Sequence, residues 1–435
     1  MMGRMAPHRL TVARRLADVL RKTAPPALAP PDHYDPADVA AMLREIGIAL
    51  VESSQPVQLV EQRLVEIAAR YTSTPVRVAV LPTMLFIQIG TTAYEMDGST
   101  QPSGRLDTAG RVDAIAHLAA AGAITPRDAV AEVHAARSSA PRFGRFATML
   151  GYAVTTVGFG MAVDPTWPAL GAHLFLGLVV GLIVAVCLPF PNLTPILPTL
   201  SALIVTLLAT WFVADTAHDG LLRVISPALI AILPGMALVV GAIELAGGRI
   251  VSGASRSVYG LAQMGLLVYG VVLGVRIAGQ LPEQNPSAAM GPWSVYVSII
   301  VIAIGLYVYL SAPRGSLGWL LLVIAVAILA QNVAGLVFNS AHSGFVAAMV
   351  SIPFAMLASR LKNAPPSSVL TLATFWSLVP GQLTFMSVSR HAAGDYTNTA
   401  GIGVAGAAIA SIALGTLVGW SLVRTITKQP VRQHI

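Results

Sequence analysis

"LIAILPGMALVVGAIELAGGRIVSG", residues 229–253, is an apolar run of membrane length with Pro-Gly near its middle and a carboxylate, Glu244, before its end. A proline in a helix interior removes one backbone hydrogen bond and clashes with a neighbouring carbonyl, at about 3 kcal/mol. Hydrocarbon offers no water to repair the damage, so such a break is packed against protein or used. A span of about 24 residues is about 36 Å of helix, which puts Pro234 and Gly235 near the bilayer midplane. A break there exposes amides at a half-helix N-terminus, which attract an anionic group such as a carboxylate. The carbonyls freed on the other side can face an ammonium or a cation.

Composition agrees with a membrane setting. The chain is 55% hydrophobic and 11% charged, with a mean hydropathy of +0.71, against roughly 25% charged in soluble domains. The excess is uneven: charge density is ordinary up to Arg145 and nearly vanishes from Phe146 onward. That shift marks a domain boundary. The net charge of +7 is what a positive-inside membrane protein accumulates, and no nucleic-acid patch is visible in it. The single cysteine, Cys187, lies in an apolar run, which leaves no intrachain disulfide and no Cys-based metal site. No metal and no cofactor is expected.

Residues 1–35 read as a tail and linker, Arg-rich and then Pro/Ala-rich, without the apolar core of a signal peptide. Residues 36–145 read as a small soluble α+β domain. "PADVAAMLREIGIALVESSQPVQLVEQRLVEIAARY" has apolar residues at helical spacing and a break around residues 53–56, so it predicts two helices. "VRVAVLP" and "MLFIQIG" predict paired strands, and two more helices follow near 106–121 and 125–137. Thr125 followed by Pro126, with Asp128 in the first turn, is a helix start. His33, His117 and His134 are scattered, with no nucleophile motif, phosphate loop or metal spacing around them. This is not the pattern of an enzyme; a regulatory or gating part suits it better.

Ten apolar runs could cross about 30 Å of hydrocarbon: near 147–163, 169–188, 193–213, 224–247, 257–280, 294–310, 317–335, 343–360, 368–389 and 400–424. With the N-terminal domain in the cytoplasm, the inner side holds eleven Lys and Arg, Arg137, Arg142 and Arg145 among them, and the outer loops only Arg223, Arg276 and Arg390. That asymmetry places both termini in the cytoplasm. The opening stretch has an echo in "FWSLVPGQLTFMSVSRHAAGDYTN", residues 375–398. Pro380-Gly381 follows Pro234-Gly235 by 146 residues, and at that offset Ser252 meets Asn398 and Glu244 meets Arg390. Five spans per copy is an odd number, so the second copy enters the membrane upside down. The expected architecture is a mainly helical membrane protein of two inverted five-helix repeats, residues 146–280 and 281–435, as in secondary transporters.

The candidate substrate-binding residues follow from the breaks: Pro234, Gly235, Pro380, Gly381 and the adjacent Gln382. Ser252 and Asn398, paired by the offset, and Tyr259 and Gln263 on the fifth span supply polar groups, with Tyr269 and the stretch 191–199 as weaker ones. Glu244 is the only acid well inside any span, and intramembrane acids are functional candidates by default. It is the candidate proton-coupling group, with Arg249 and Arg256 as partners. His173 and His391, at the outer ends of their spans, read as interfacial.

The chain resembles the threonine/serine exporter family. The residues that carry the resemblance are "LVESSQPVQLVEQRL" with "VAVLPTMLFIQIG" in the N-terminal domain, "LLRVISPALIAILPGMALVVGAIELAGGRIVSGASR" around the first break, and "SLVPG" in the second half. The family's N-domain turn is Gly-Ala-Ser/Thr, where this chain has Ser53-Ser54-Gln55-Pro56, and its basic residue before Val-Glu is Leu59 here. The resemblance implies a cytoplasmic N-terminal domain, two five-span halves, and proton-motive-force-driven efflux of small hydroxy amino acids across a bacterial plasma membrane. Partners would be the amino acid, protons and the lipid bilayer, with a homo-oligomer left open. Export of a dicarboxylate or other organic acid is the alternative, though no basic residue stands at the breaks; a membrane sensor is the other.

Overall fold

A computed structural model describes residues 25–97, 104–163, 165–187, 189–213, 220–279, 288–378, 385–389 and 400–426. The N-terminal domain opens with α1 (Pro36–Glu52) and α2 (Val57–Tyr71). Asp35 caps α1, its carboxylate accepting from the Ala37 amide at 2.8 Å ahead of Pro36. A three-stranded antiparallel sheet follows in the order β1 (Val76–Val80), β2 (Met84–Ile89), β3 (Thr92–Asp97). Alternation sends Leu85, Ile87 and Ile89 inward. Thr92–Asp97 was not expected as a strand. Its Glu95 and Asp97 are poor strand residues, and it pairs because the Gly90-Thr91 turn, with Gly90 at φ 60°, folds it back on β2. The domain closes with α3 (Leu106–Ala121) and α4 (Pro126–Ser138), and one apolar core joins its four helices to the sheet.

The remaining helices are α5 (Arg145–Val163), α6 (Trp167–Cys187), α7 (Leu197–Leu208, extended by a π turn Ala209–Val213), α8 (Leu221–Leu229), α9 (Gly235–Ala246) and α10 (Ile250–Ala278). After these come α11 (Trp293–Tyr309), α12 (Leu317–Gly335), α13 (Ser340–Ala358), α14 (Ser367–Leu378), a helical stretch 385–389, and α15 (Ala400–Ile426). Each of the ten apolar runs carries helix. Among the described residues six helices (α5, α6, α10, α12, α13 and α15) are long and apolar enough to cross a membrane. A bent pair, α8 with α9, would make a seventh, and α7, α11 and α14 are shorter. The chain is thus a multi-pass membrane protein.

Within the first five-run set α6 packs on α5, α7 and α8, and α7 packs on α10; within the second, α12 packs on α11, α13 and α14, and α13 on α15. The sets meet chiefly through α5 and α11. That antiparallel seam is closed by small residues: Gly151 lies against Val308, Thr155 against Gly305, and Gly158 against Ile302. Glycines at these positions let two backbones approach closely, the packing that holds helices together where lipid removes any hydrophobic drive.

The N-terminal domain is docked on one end of this bundle. The Leu106 amide donates to the Leu310 carbonyl at 2.8 Å, Arg142 donates to the Tyr307 hydroxyl at 2.6 Å and the Ala312 carbonyl at 3.0 Å, and Arg249 pairs with Glu61.

Candidate functional site

The break is where the sequence put it. Pro227 inside α8 has no N–H to offer, a single 3₁₀ turn at Ile230–Ile232 tightens the chain, and Leu233 is extended before Pro234. α9 then starts at Gly235, and the two arms meet at 65°. The arms are Leu221–Ile232 and Gly235–Ala246, about 18 Å each at 1.5 Å per residue. Pro234 occupies the N-cap of α9 and supplies no side-chain acceptor, so among the described residues no side chain caps its first amides.

Two residues that the sequence reading did not put at the break stand against its first arm. The Tyr152 hydroxyl on α5 donates to the Ala228 carbonyl at 2.7 Å, in the last turn before the ladder tightens. His173 on α6 faces the Arg223 carbonyl, the one that Pro227 leaves without its i+4 donor, although neither ring nitrogen makes a hydrogen bond of good geometry. His173 is fully buried and packs on Gly160, which corrects the interfacial reading. Its position near a span end was the misleading signal. The legible ones were a tyrosine hydroxyl inside a span, which needs a partner, and Gly160, whose missing side chain makes room for the ring.

Tyr152 stacks edge-on against Tyr309 of α11, ring centroids 5.0 Å apart, and Tyr309 against Trp376 of α14 at 6.2 Å. An aromatic chain therefore runs from the first break to the helix that precedes Pro380. Residues beyond that proline return to the same place: Phe385 is fully buried in one cluster with Ile225, Leu229 and Leu238. Leu378, before the proline, shares another cluster with Val239 and Ile243 of α9. Pro380, Gly381, Gln382 and Asn398 themselves lie outside the described residues, as does His391.

The other expected residues separate. α9 and α10 form a close antiparallel pair, Gly241 against Ser257 and Leu238 against Gly260. One turn further, Gln263 comes level with the break, half-buried. Ser252 is buried at the opposite end of α10, about 16 Å from that level by helical rise. Tyr259 and Tyr269 are 56% and 60% exposed, on the outward face of α10, so they do not line an interior.

Glu244 is fully buried, at the end of α9 that meets the N-terminal domain. Its Oε1 accepts from the Val57 amide at 3.0 Å and lies 3.2 Å from Arg256 Nε. Val57 is the first residue of α2, so a carboxylate from the membrane domain caps a helix of the N-terminal domain. Of the two expected partners only Arg256 is correct. Arg249 is committed to Glu61, a longer reach made possible by the docked α2. Glu244 Oε2 and Arg256 Nη2 are buried without a hydrogen-bond partner among the described residues. Gln58 packs against Gly247, so the same turn of α2 sits directly on the end of α9.

No curated protein and no solved structure matches the chain. A family model described as "Putative threonine/serine exporter" matches residues 41–278, which take in the N-terminal domain from within α1 and every helix from α5 to α10. That stretch contains the broken α8–α9 pair and the Glu244 contact with α2, and it is more than half of the sequence; the chain belongs to the threonine/serine exporter family.

Proposed function

We propose that the protein is a secondary active exporter of small hydroxy amino acids, threonine and serine, driven by the proton motive force. In this reading the N-terminal domain and both termini lie in the cytoplasm of a bacterial cell, and all ten apolar helices are spans of two inverted five-helix repeats. The substrate binds near the midplane, where the two Pro-Gly breaks meet, its carboxylate toward the uncapped amides of α9. The observation that carries the reading is the 65° break at Pro234-Gly235 with the flanks of the second break, Leu378 and Phe385, packed around it.

The repeat reading draws support from the matching neighbours of the two sets. α7 with α10 and α13 with α15 are both parallel glycine-lined pairs, through Gly270 and Gly274 in one and Gly415 and Gly419 in the other. Glu244 supports coupling to protons in a specific way. Protonating its carboxylate would remove its charge from Arg256 and weaken the cap on α2, so a proton entering there loosens the N-terminal domain from the end of the broken helix. The test is efflux of labelled threonine from loaded proteoliposomes with and without an imposed pH gradient. Gradient-dependent efflux competed by serine is expected. If threonine stays inside whichever way the gradient points, while an organic acid leaves, the alternative substrate class replaces this one.

A further inference from the structure

A cavity of about 260 Å³ opens between the docked N-terminal domain and the second half of the membrane domain. Its upper wall is the α1–α2 turn with the exposed face of α2, and its lower wall is formed by the ends of α13, α14 and α15. It is smaller than the roughly 300–1,000 Å³ of drug-sized pockets, which limits its occupant to a small metabolite.

The lining carries both signs of charge. Arg63 is spent on Asp113, and Arg424 donates to the Gln62 side chain at 2.7 Å. Arg360 and Glu66 also line the cavity, from opposite walls, and neither has an ion pair among the described residues. A cation and an anion left unmatched across one small space are complementary to a ligand that carries an anion and a cation itself. Ser367 and Thr371 on α14 add hydroxyls, and Phe375 and Trp420 make an apolar floor. An anionic lipid headgroup would suit Arg360 but would be repelled by Glu66.

We infer that this cavity is a binding site for a small zwitterionic amino acid, held by its carboxylate on Arg360 and its ammonium on Glu66, and completed only when the N-terminal domain is docked. Its place in transport is at the entrance. Ser367 begins α14, whose described end is Leu378, two residues before Pro380 in the sequence, and Phe375 on the cavity floor is three residues, about 4.5 Å by helical rise, from that end. The identification of the occupant with the exported amino acid rests on the export reading above; the charge pattern of the cavity does not.

The test uses the full chain in detergent, where the native Cys187 is buried, with Gln55→Cys as a reporter on the cavity rim. Threonine slows maleimide labelling at position 55, and its decarboxylated and deaminated analogues do not. Adding Arg360→Gln or Glu66→Gln raises the threonine concentration needed by about tenfold or more, the loss of one charge-assisted hydrogen bond. Ser367→Cys reports from the opposite wall should the first reporter disturb the α1–α2 turn. Labelling unaffected by threonine up to its solubility limit at both positions would overturn the inference, and so would protection by glycerol phosphate in place of the amino acid. Threonine efflux without protection sinks the cavity site alone. Protection by amino acids in a protein that exports none of them sinks the export reading alone.

Discussion

Glu244 shows how one side chain can answer to two domains. Removing one partner of a buried ion pair costs about 3–5 kcal/mol, because the other charge is left stranded. Glu244→Ala is therefore expected to release the N-terminal domain, seen as faster proteolysis in the segment 139–144 of the detergent-solubilised chain. Glu244→Gln mimics the protonated acid, keeping an acceptor for the Val57 amide but removing the charge, so docking should be loosened at every pH without full release and the pH dependence of efflux lost; unchanged pH dependence would retire Glu244 as the coupling acid. Tyr152 makes a narrower claim. Tyr152→Phe removes this buried hydrogen bond to the Ala228 carbonyl, at about 0.5–1.5 kcal/mol, and should lower both the thermal unfolding temperature and the efflux rate. At Gly160 a methyl group would meet the His173 ring, a buried and inflexible neighbour. Overpacking of this kind costs about 1–3 kcal/mol, and Gly160→Ala should show it as a lowered unfolding temperature despite alanine's better helix propensity.

The broken helix is the element on which function turns. Its geometry comes from local chemistry: Pro227 and Pro234 each withhold an N–H, and Gly235 starts a new helix without a cap. Pro234→Ala and Pro380→Ala should let the helices straighten, reducing transport strongly while leaving insertion and expression intact. Efflux at the wild-type rate in both variants would reduce the breaks to packing kinks. The break itself was legible in the sequence, since proline acts through its own backbone. Its partners were not: Tyr152 and His173 belong to other helices, and the aromatic chain from Tyr152 through Tyr309 to Trp376 joins residues far apart in the sequence. Tyr259 and Gln263 illustrate the limit from the other side. They are four residues apart, and only the packing of α9 on α10 decides that Gln263 comes level with the break while Tyr259 turns outward.

At the scale of the whole molecule, an α+β domain and a helical membrane domain share an interface of polar contacts and of apolar ones, Leu106 and Leu59 being packed into clusters of the membrane helices. The core of the N-terminal domain offers a pH test of its own. The Tyr71 hydroxyl donates to the Ile124 carbonyl at 2.7 Å, and burial pushes its pKa up to about 12 from the ordinary 10. The folded state therefore favours the neutral phenol. Its contribution is complete below pH 10 and is lost progressively between pH 10 and 12, as the unfolded chain gains the ability to ionise first. Helical circular dichroism of the full chain should fall over that range, and Tyr71→Phe should blunt the fall.

Much of this protein follows from its sequence alone. The division near residue 145 follows from charge density, the ten helical runs from apolar length, and the position of the first break from Pro-Gly, all properties of consecutive residues. The tertiary structure decided which groups those elements bring together. It set Glu244 on the α2 N-terminus, buried His173, sent Arg249 to Glu61 and turned Tyr259 outward. The physical reason is that burial and hydrogen bonding in a membrane bundle depend on which helix faces which. Apolar runs of near-uniform composition carry little of that information, because every face of such a helix is compatible with lipid and with protein alike.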